Sequence, residues 1–253
     1  MNKATTRFSR RTILKAAAGI GALTLVRSIA HATGKSITEW HLLSIHEPEN
    51  ARIVFASCSP LTMAMPASET SVADVKNSDA IFVLVDNKAE PNPPLPDEIY
   101  AAHRDGVITA QIRATPAISS IALSDVARLY CSDETMFRCN DLGDMRQILN
   151  STGGDEIPTL VATVGTSSGA NAVSHALSDA MGQLEIQYGV ELKSVERIFI
   201  IVAGKRRSLR LDNVYRDYSF LMSRFARDAW LLYGAIYDDS MDADIRTTLM
   251  VGA

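Results

Sequence analysis

PTLVATVGTSSGANAVSHALSDAMGQL, residues 158–184, decides the fold. Pro158 to Val164 reads as a strand rich in β-branched residues. Ala170 to Leu184 then places Val173, Leu177 and Met181 at helical spacing, the mark of an amphipathic helix. The alternation continues downstream. Val195 to Val202 is a buried strand, and Asp212 to Ala226 is a helix that Asp212 or Asn213 can cap. Trp230 to Ile236 and Ile245 to Val251 close the chain as two strands, with Trp230 and Tyr233 expected in the core. Upstream, Asp141 to Leu149 is helical and Gly153-Gly154 breaks it. The order β-α-β-α-β-β predicts a two-layer sheet with helices on one face.

Further toward the N-terminus the signals thin out. A short strand is expected near Trp40 to Ile45, a buried one over Ala51 to Ala56, and a loop from Ser57 to Ser68. Val72 to Lys76 suits one helical turn. Ala80 to Val85 (AIFVLV) is a continuous apolar run of the kind found in parallel sheets. Asn87 to Pro96 holds four prolines and reads as a loop. A helix over Asp97 to Arg104, ended by Gly106, and a strand over Val107 to Ile112 complete a parallel α/β unit. No internal repeat or low-complexity tract is present.

The chain has 253 residues, 47% hydrophobic and 21% charged, which is globular composition. Residues 1–32 carry six basic groups (Lys3, Arg7, Arg10, Arg11, Lys15, Arg27) and no acidic one. Removing them leaves 19 basic against 29 acidic residues, a net charge of −10. A body this acidic repels phosphate backbones and anionic lipid, which argues against nucleic acid and membrane surfaces as partners. No apolar run is long enough to span a bilayer. Ser9-Arg10-Arg11-Thr12-Ile13-Leu14-Lys15 matches the twin-arginine export signature, with Ile13 in the Phe position. A mild apolar stretch (Ala16 to Val26), Arg27, and the small-x-small site Ala30-His31-Ala32 follow in order. The reading is a signal peptide over residues 1–32, recognised through Arg10 and Arg11, cleaved after Ala32, and delivering a folded protein to the periplasm or beyond. Cys58, Cys131 and Cys139 match no zinc pattern, and one pair could close in an oxidising compartment.

Three stretches resemble the bacterial tubulin FtsZ, in the right order. Val164-Gly165-Thr166-Ser167-Ser168-Gly169, Tyr233-Gly234-Ala235-Ile236-Tyr237-Asp238-Asp239 and the last strand Ile245 to Gly252 are similar to the family's C-terminal domain. Cys139-Asn140-Asp141-Leu142-Gly143-Asp144-Met145-Arg146 looks like its synergy loop, N-x-D-F-A-D-V-R. In FtsZ filaments that loop enters the neighbour's nucleotide pocket and its carboxylates orient the attacking water, so the resemblance gives those roles to Asp141 and Asp144. The same two residues also fit plain helix capping. Ser78 to Val85 and the elements after it resemble the strand, phosphate loop, helix and strand of the nucleotide domain. Where the family has G-G-G-T-G-T-G, however, this chain has Asn87-Lys88-Ala89-Glu90-Pro91-Asn92-Pro93-Pro94. Prolines donate no N–H and Glu90 repels phosphate, so the cradle is lost. Most of the long central helix is also missing, since about 28 residues separate Ile112 from Asp141.

The resemblance implies an α/β fold in which a reduced, Rossmann-like remnant of the nucleotide domain (33–140) precedes an FtsZ-like C-terminal domain (141–253). It implies a non-catalytic structural or protein-interaction module that self-associates or binds a protein partner, with no cofactor. The alternative within the family is a GTP-binding, polymer-forming protein of bacterial cell division. The alternative outside it is a serine hydrolase, because Gly165-Thr166-Ser167-Ser168-Gly169 matches the nucleophile elbow. That reading lacks partners, since His175 is the only histidine after Ser167 and lies on the same helix. His41, His46 and Glu47 lack metal-ligand spacing. Lys205-Arg206-Arg207 with Arg210 is a basic cluster in a turn, read as solvated, with an anionic partner as the minority reading.

Overall fold

The computed structural model describes residues 41–46, 53–57, 78–87, 95, 97–131, 135–150 and 156–252. Its elements are β1 (His41–His46), β2 (Ile53–Ser57), β3 (Ala80–Asp86), α1 (Asp97–Arg104), β4 (Ile108–Ala114), α2 (Pro116–Cys131), β5 (Thr135–Arg138) and α3 (Leu142–Leu149). β6 (Thr159–Ser167), α4 (Ala172–Tyr188), a 3-10 turn (Leu192–Ser194), β7 (Arg197–Gly204), α5 (Leu211–Arg224), β8 (Trp230–Tyr237) and β9 (Ile245–Gly252) follow. This is an α/β fold. The C-terminal half has the expected order of strands and helices. The helical turn expected over Val72 to Lys76 lies outside the described residues.

Among the described residues, one nine-stranded sheet forms in the order β1-β2-β3-β4-β6-β9-β7-β8-β5. β2, β3, β4 and β6 pair in parallel, β7 and β8 do likewise, and β9 lies antiparallel between β6 and β7. β4 meets β6 over Gln111↔Thr159, Ile112↔Leu160 and Arg113↔Val161, so the two halves share this sheet. β6 therefore extends past the end of β4. The ends of β6, β7 and β8 gather with the start of β9 at one edge.

Both faces of the sheet are covered, not one. The strand period of two divides β7 cleanly: Phe199, Ile201 and Ala203 pack with α2 and α3, while Ile198, Ile200 and Val202 pack with α4 and α5. Ile81 and Val83 of β3 pack with Ile99 and Ala102 of α1. The first layer contains α2, a 16-residue helix that the sequence reading left unassigned. Each fully buried Leu or Ile on these faces is worth about 1.5–3 kcal/mol.

α4 sits unusually close to β6. A Cβ on Gly165 would lie 2.0 Å from the Ala176 carbonyl oxygen and 2.7 Å from the Ala180 nitrogen. Thr163 Oγ1 donates to the Ala180 carbonyl at 2.8 Å, and Gln183 Nε2 donates to the Val164 carbonyl at 2.9 Å. Glycine at 165 is thus required by helix-on-strand approach. α4 ends at Gly189 in the left-handed region, φ +63°, the usual glycine stop. Arg210 is the N-cap position of α5 and makes no side-chain cap, and Asp212 lies inside the first turn, so neither Asp212 nor Asn213 is the N-cap. Tyr233 is buried as expected, but Trp230 is half-exposed at the first position of β8.

Candidate functional site

Asp141 and Asp144 stand at the start of α3, where they form a reciprocal capping box. Asp141 Oδ1 accepts from the Asp144 N–H at 2.9 Å, and Asp144 Oδ2 accepts from the Asp141 N–H at 3.0 Å. Each carboxylate satisfies a backbone donor that the helix end leaves open. Both residues are exposed. Beside them, Asn140 Oδ1 accepts the Tyr233 N–H at 3.2 Å and the Cys139 N–H donates to the Tyr233 carbonyl at 3.0 Å, so this turn is tied to β8. Burial pushes the Tyr130 phenol up from its ordinary value, outweighing the Arg138 guanidinium that lies over its ring at 4.9 Å. Cys139 is an exposed free thiol whose remaining burial raises its pKa.

The G-T-S-S-G segment is a strand end and a turn. Gly165, Thr166 and Ser167 belong to β6, and the chain turns through Gly169 (φ +84°) and Asn171 (φ +59°) before α4. Ser168 Oγ accepts the Asp244 N–H at 3.0 Å, and the Gly169 N–H donates to Asp244 Oδ2 at 3.2 Å. His175 is exposed on α4. Among the described residues no hydrogen bond joins Ser167 to a histidine or a carboxylate.

The basic cluster is a turn matched by acids. Arg206 pairs with Asp239 at 3.4 Å and stacks over Tyr237 at 4.4 Å. Arg207 pairs with Asp244 at 3.3 Å, and Lys205 Nζ donates to the Asp242 carbonyl at 2.9 Å. The Asp244 carboxyl titrates below its ordinary range because the Gly169 N–H and Arg207 bind it, against a smaller opposing effect of desolvation. Arg210 is exposed.

Beneath this edge lies a charged group the sequence reading missed. Asp125, in the middle of α2, is fully buried. It accepts from Arg246 Nε at 3.1 Å and from Thr248 Oγ1 at 2.6 Å, and Arg246 Nη2 completes a two-pronged pair. Arg246 also reaches Asp238 at 3.3 Å, and Arg128, one turn after Asp125, pairs with Asp238 and donates to the Tyr237 carbonyl. Two acids and two arginines balance. Burial pushes the Asp238 carboxyl up, but hydrogen bonds from Ser240 and the Arg128 and Arg246 guanidiniums outweigh it, and its pKa falls below the ordinary value. The Arg246 guanidinium behaves in parallel: burial lowers its pKa, and the Asp125 and Asp238 carboxylates more than reverse this. These groups are spread over residues 125–248, so no local motif announces them.

Arg10, Arg11 and Ala32, the loop residues 88–94, Glu47 and Cys58 lie outside the described residues, as do the side chains of His41, His46 and Cys131. Among the described residues, no His, Cys, Asp and Glu cluster fits a metal ion and no helix is long and apolar enough to cross a membrane.

No protein-family model matches this chain, and no curated protein does. Solved structures do. An FtsZ mutant from M. jannaschii is 18% identical, with a TM-score of 0.47 over 71% of this chain and 48% of the other. The empty FtsZ dimer from M. jannaschii is 17% identical, with a TM-score of 0.47 over 72% and 51%. CetZ from Methanosaeta thermophila is 13% identical, with a TM-score of 0.44 over 79% and 59%. The chain thus spans about half the length of the FtsZ structures it matches.

Proposed function

We propose that this chain is a non-catalytic, FtsZ/tubulin-like structural or protein-interaction module, exported by the twin-arginine route. The capping box is the observation that carries the non-catalytic part. Orienting a water at a phosphate requires carboxylates free to face the reacting group. Asp141 and Asp144 instead turn toward each other's backbone N–H. The Pro-rich sequence from Asn87 to Pro94 offers few amide donors for a phosphate. The basic turn, Lys205 to Arg207, faces the acids Asp239 and Asp244.

Calorimetry with GTP and magnesium, followed by a phosphate-release assay, tests the reading. No heat of binding and no turnover are expected. Micromolar binding, or turnover abolished by Asp144→Ala, restores the GTP-binding, polymer-forming alternative. Sedimentation velocity of the purified protein tests self-association. Replacing Arg10 and Arg11 by Lys tests export and should hold the precursor in the cytoplasm, whereas full-length protein in the cytoplasm of the unmodified strain would overturn it.

A further inference from the structure

α2 crosses the sheet with a face made of small and medium apolar residues. Its buried positions are Ser119, Ala122, Leu123, Asp125, Val126, Ala127, Leu129 and Tyr130. This face nearly repeats every four residues. A slide of one helical turn, about 5.4 Å, carries Ala122 into the seat of Val126, Leu123 into that of Ala127, and Val126 into that of Tyr130. Leu123 would overfill the seat of Ala127, Val126 would underfill that of Tyr130, and Asp125 would enter the apolar seat of Leu129. Size mismatches of this kind cost about 1–3 kcal/mol each, and a carboxylate left in an apolar seat costs more. The polar contacts differ. The same slide would put Ile121 against Arg246 and Thr248, which together supply three donors to Asp125.

We propose that the buried Asp125–Arg246 pair fixes the seat of α2 on the sheet and does so at a cost in stability. Burying two charges costs several kcal/mol each, and apolar substitutes of similar volume are often as stable or more so. A polar pair that must meet its partner penalises every other seat, as a lone polar residue fixes register in a coiled coil. Arg246 also reaches Asp238, so the seat of α2 and the loop between β8 and β9 are set together. That loop holds Asp239 and Asp244 against the basic turn. The pair therefore places the whole polar edge.

The test compares three variants of the full chain by urea unfolding and by the amide resonances of residues 122–130. Arg246→Met leaves Asp125 buried with Thr248 alone, and should raise the unfolding constant at least about a hundredfold. Asp125→Leu combined with Arg246→Met should return it to within about tenfold of the parent, with α2 showing more than one set of resonances and a shallower urea transition. Thr248→Val, which keeps the pair, should cost about tenfold and retain a single set. A double variant with one set of resonances and the parent's steepness would show that the pair does not choose the seat. A double variant as unstable as Arg246→Met, or unfolded, would show that the pair supplies stability itself. Either result overturns the proposal.

Discussion

Gly165→Ala tests the packing of α4 on β6. The new Cβ would meet the Ala176 carbonyl oxygen at 2.0 Å and the Ala180 nitrogen at 2.7 Å, both backbone atoms with no rotamer to yield. Ordinary contact begins at 3.4 Å, so the helix must retreat by 1.4 Å along that line. Retreat stretches two hydrogen bonds, Thr163 to Ala180 and Gln183 to Val164. Each is worth about 1 kcal/mol. It also loosens Ala176, Leu177, Ala180 and Leu184, the helix's own buried face. Overpacking by one methyl costs about 1–3 kcal/mol where side chains can adjust, and here they cannot. The expected loss is about 3–5 kcal/mol, a large part of the roughly 5–15 kcal/mol of a typical domain. Gly182→Ala in the same helix is the control: nothing lies within 4 Å of its Cβ, so it should stabilise by about 0.5–1 kcal/mol. Both changes restrict the unfolded chain alike, so their difference isolates the close approach. Urea unfolding followed by circular dichroism and by tryptophan fluorescence measures both. A loss below about 1 kcal/mol for Gly165→Ala, or equal effects for the pair, would refute the reasoning.

Three further outcomes are expected. Ser167→Ala should shift stability by less than about 1 kcal/mol, and a fluorophosphonate probe should leave the purified protein unlabelled; stoichiometric labelling at Ser167 would revive the hydrolase reading. Asp144→Ala should cost about 1 kcal/mol through the lost half of the capping box, measured as a lower urea midpoint, while Asp144→Glu, able to close the same box, should recover much of it. For acid sensitivity the sign follows from Asp238: its folded pKa lies below the unfolded value, so its contribution is full above the ordinary carboxylate range and is lost as pH falls through the folded pKa. Stability should therefore drop below about pH 4, and Asp238→Asn should flatten that acid limb; an unchanged limb would place the acid sensitivity elsewhere.

The elements that sequence revealed are those whose signal is local. β7 is buried on both faces and reads as Arg197–Gly204 with scarcely a polar interruption, as a central strand must. α4 shows its stripe because its outer face meets solvent. α2 was missed for the opposite reason. Ala122, Leu123, Val126 and Ala127 are buried without a clean polar face opposite them, and Asp125 interrupts the apolar side that would have marked the helix. The second layer of helices depends on α2 as well. Without α2 the pattern accounts for helices on a single face, whereas Phe199 and Ile201 need α2 and α3 above them. Trp230 failed differently: the strand assignment was right, but its first position projects where the sheet gives only half a cover.

The polar residues divide along the same line. Asp141 and Asp144 could be placed at a helix start because a capping box is a four-residue pattern. What separates capping from catalysis is the direction of two carboxylates, and spacing i, i+3 serves either use. Asp125 shows the converse. Nothing within ten residues of it explains a buried carboxylate, since its donors come from Arg246 and Thr248, 121 and 123 positions away. A sequence can thus announce which carboxylates begin helices, yet it cannot say which are neutralised across the fold, because that depends on strands pairing first. β9 lies between β6 and β7, on a sheet whose other face is covered by α4 and α5. The partners of Asp125 are therefore delivered by β9, 121 and 123 positions further along the chain. This buried charge pair is a consequence of topology, and local pattern has no route to it.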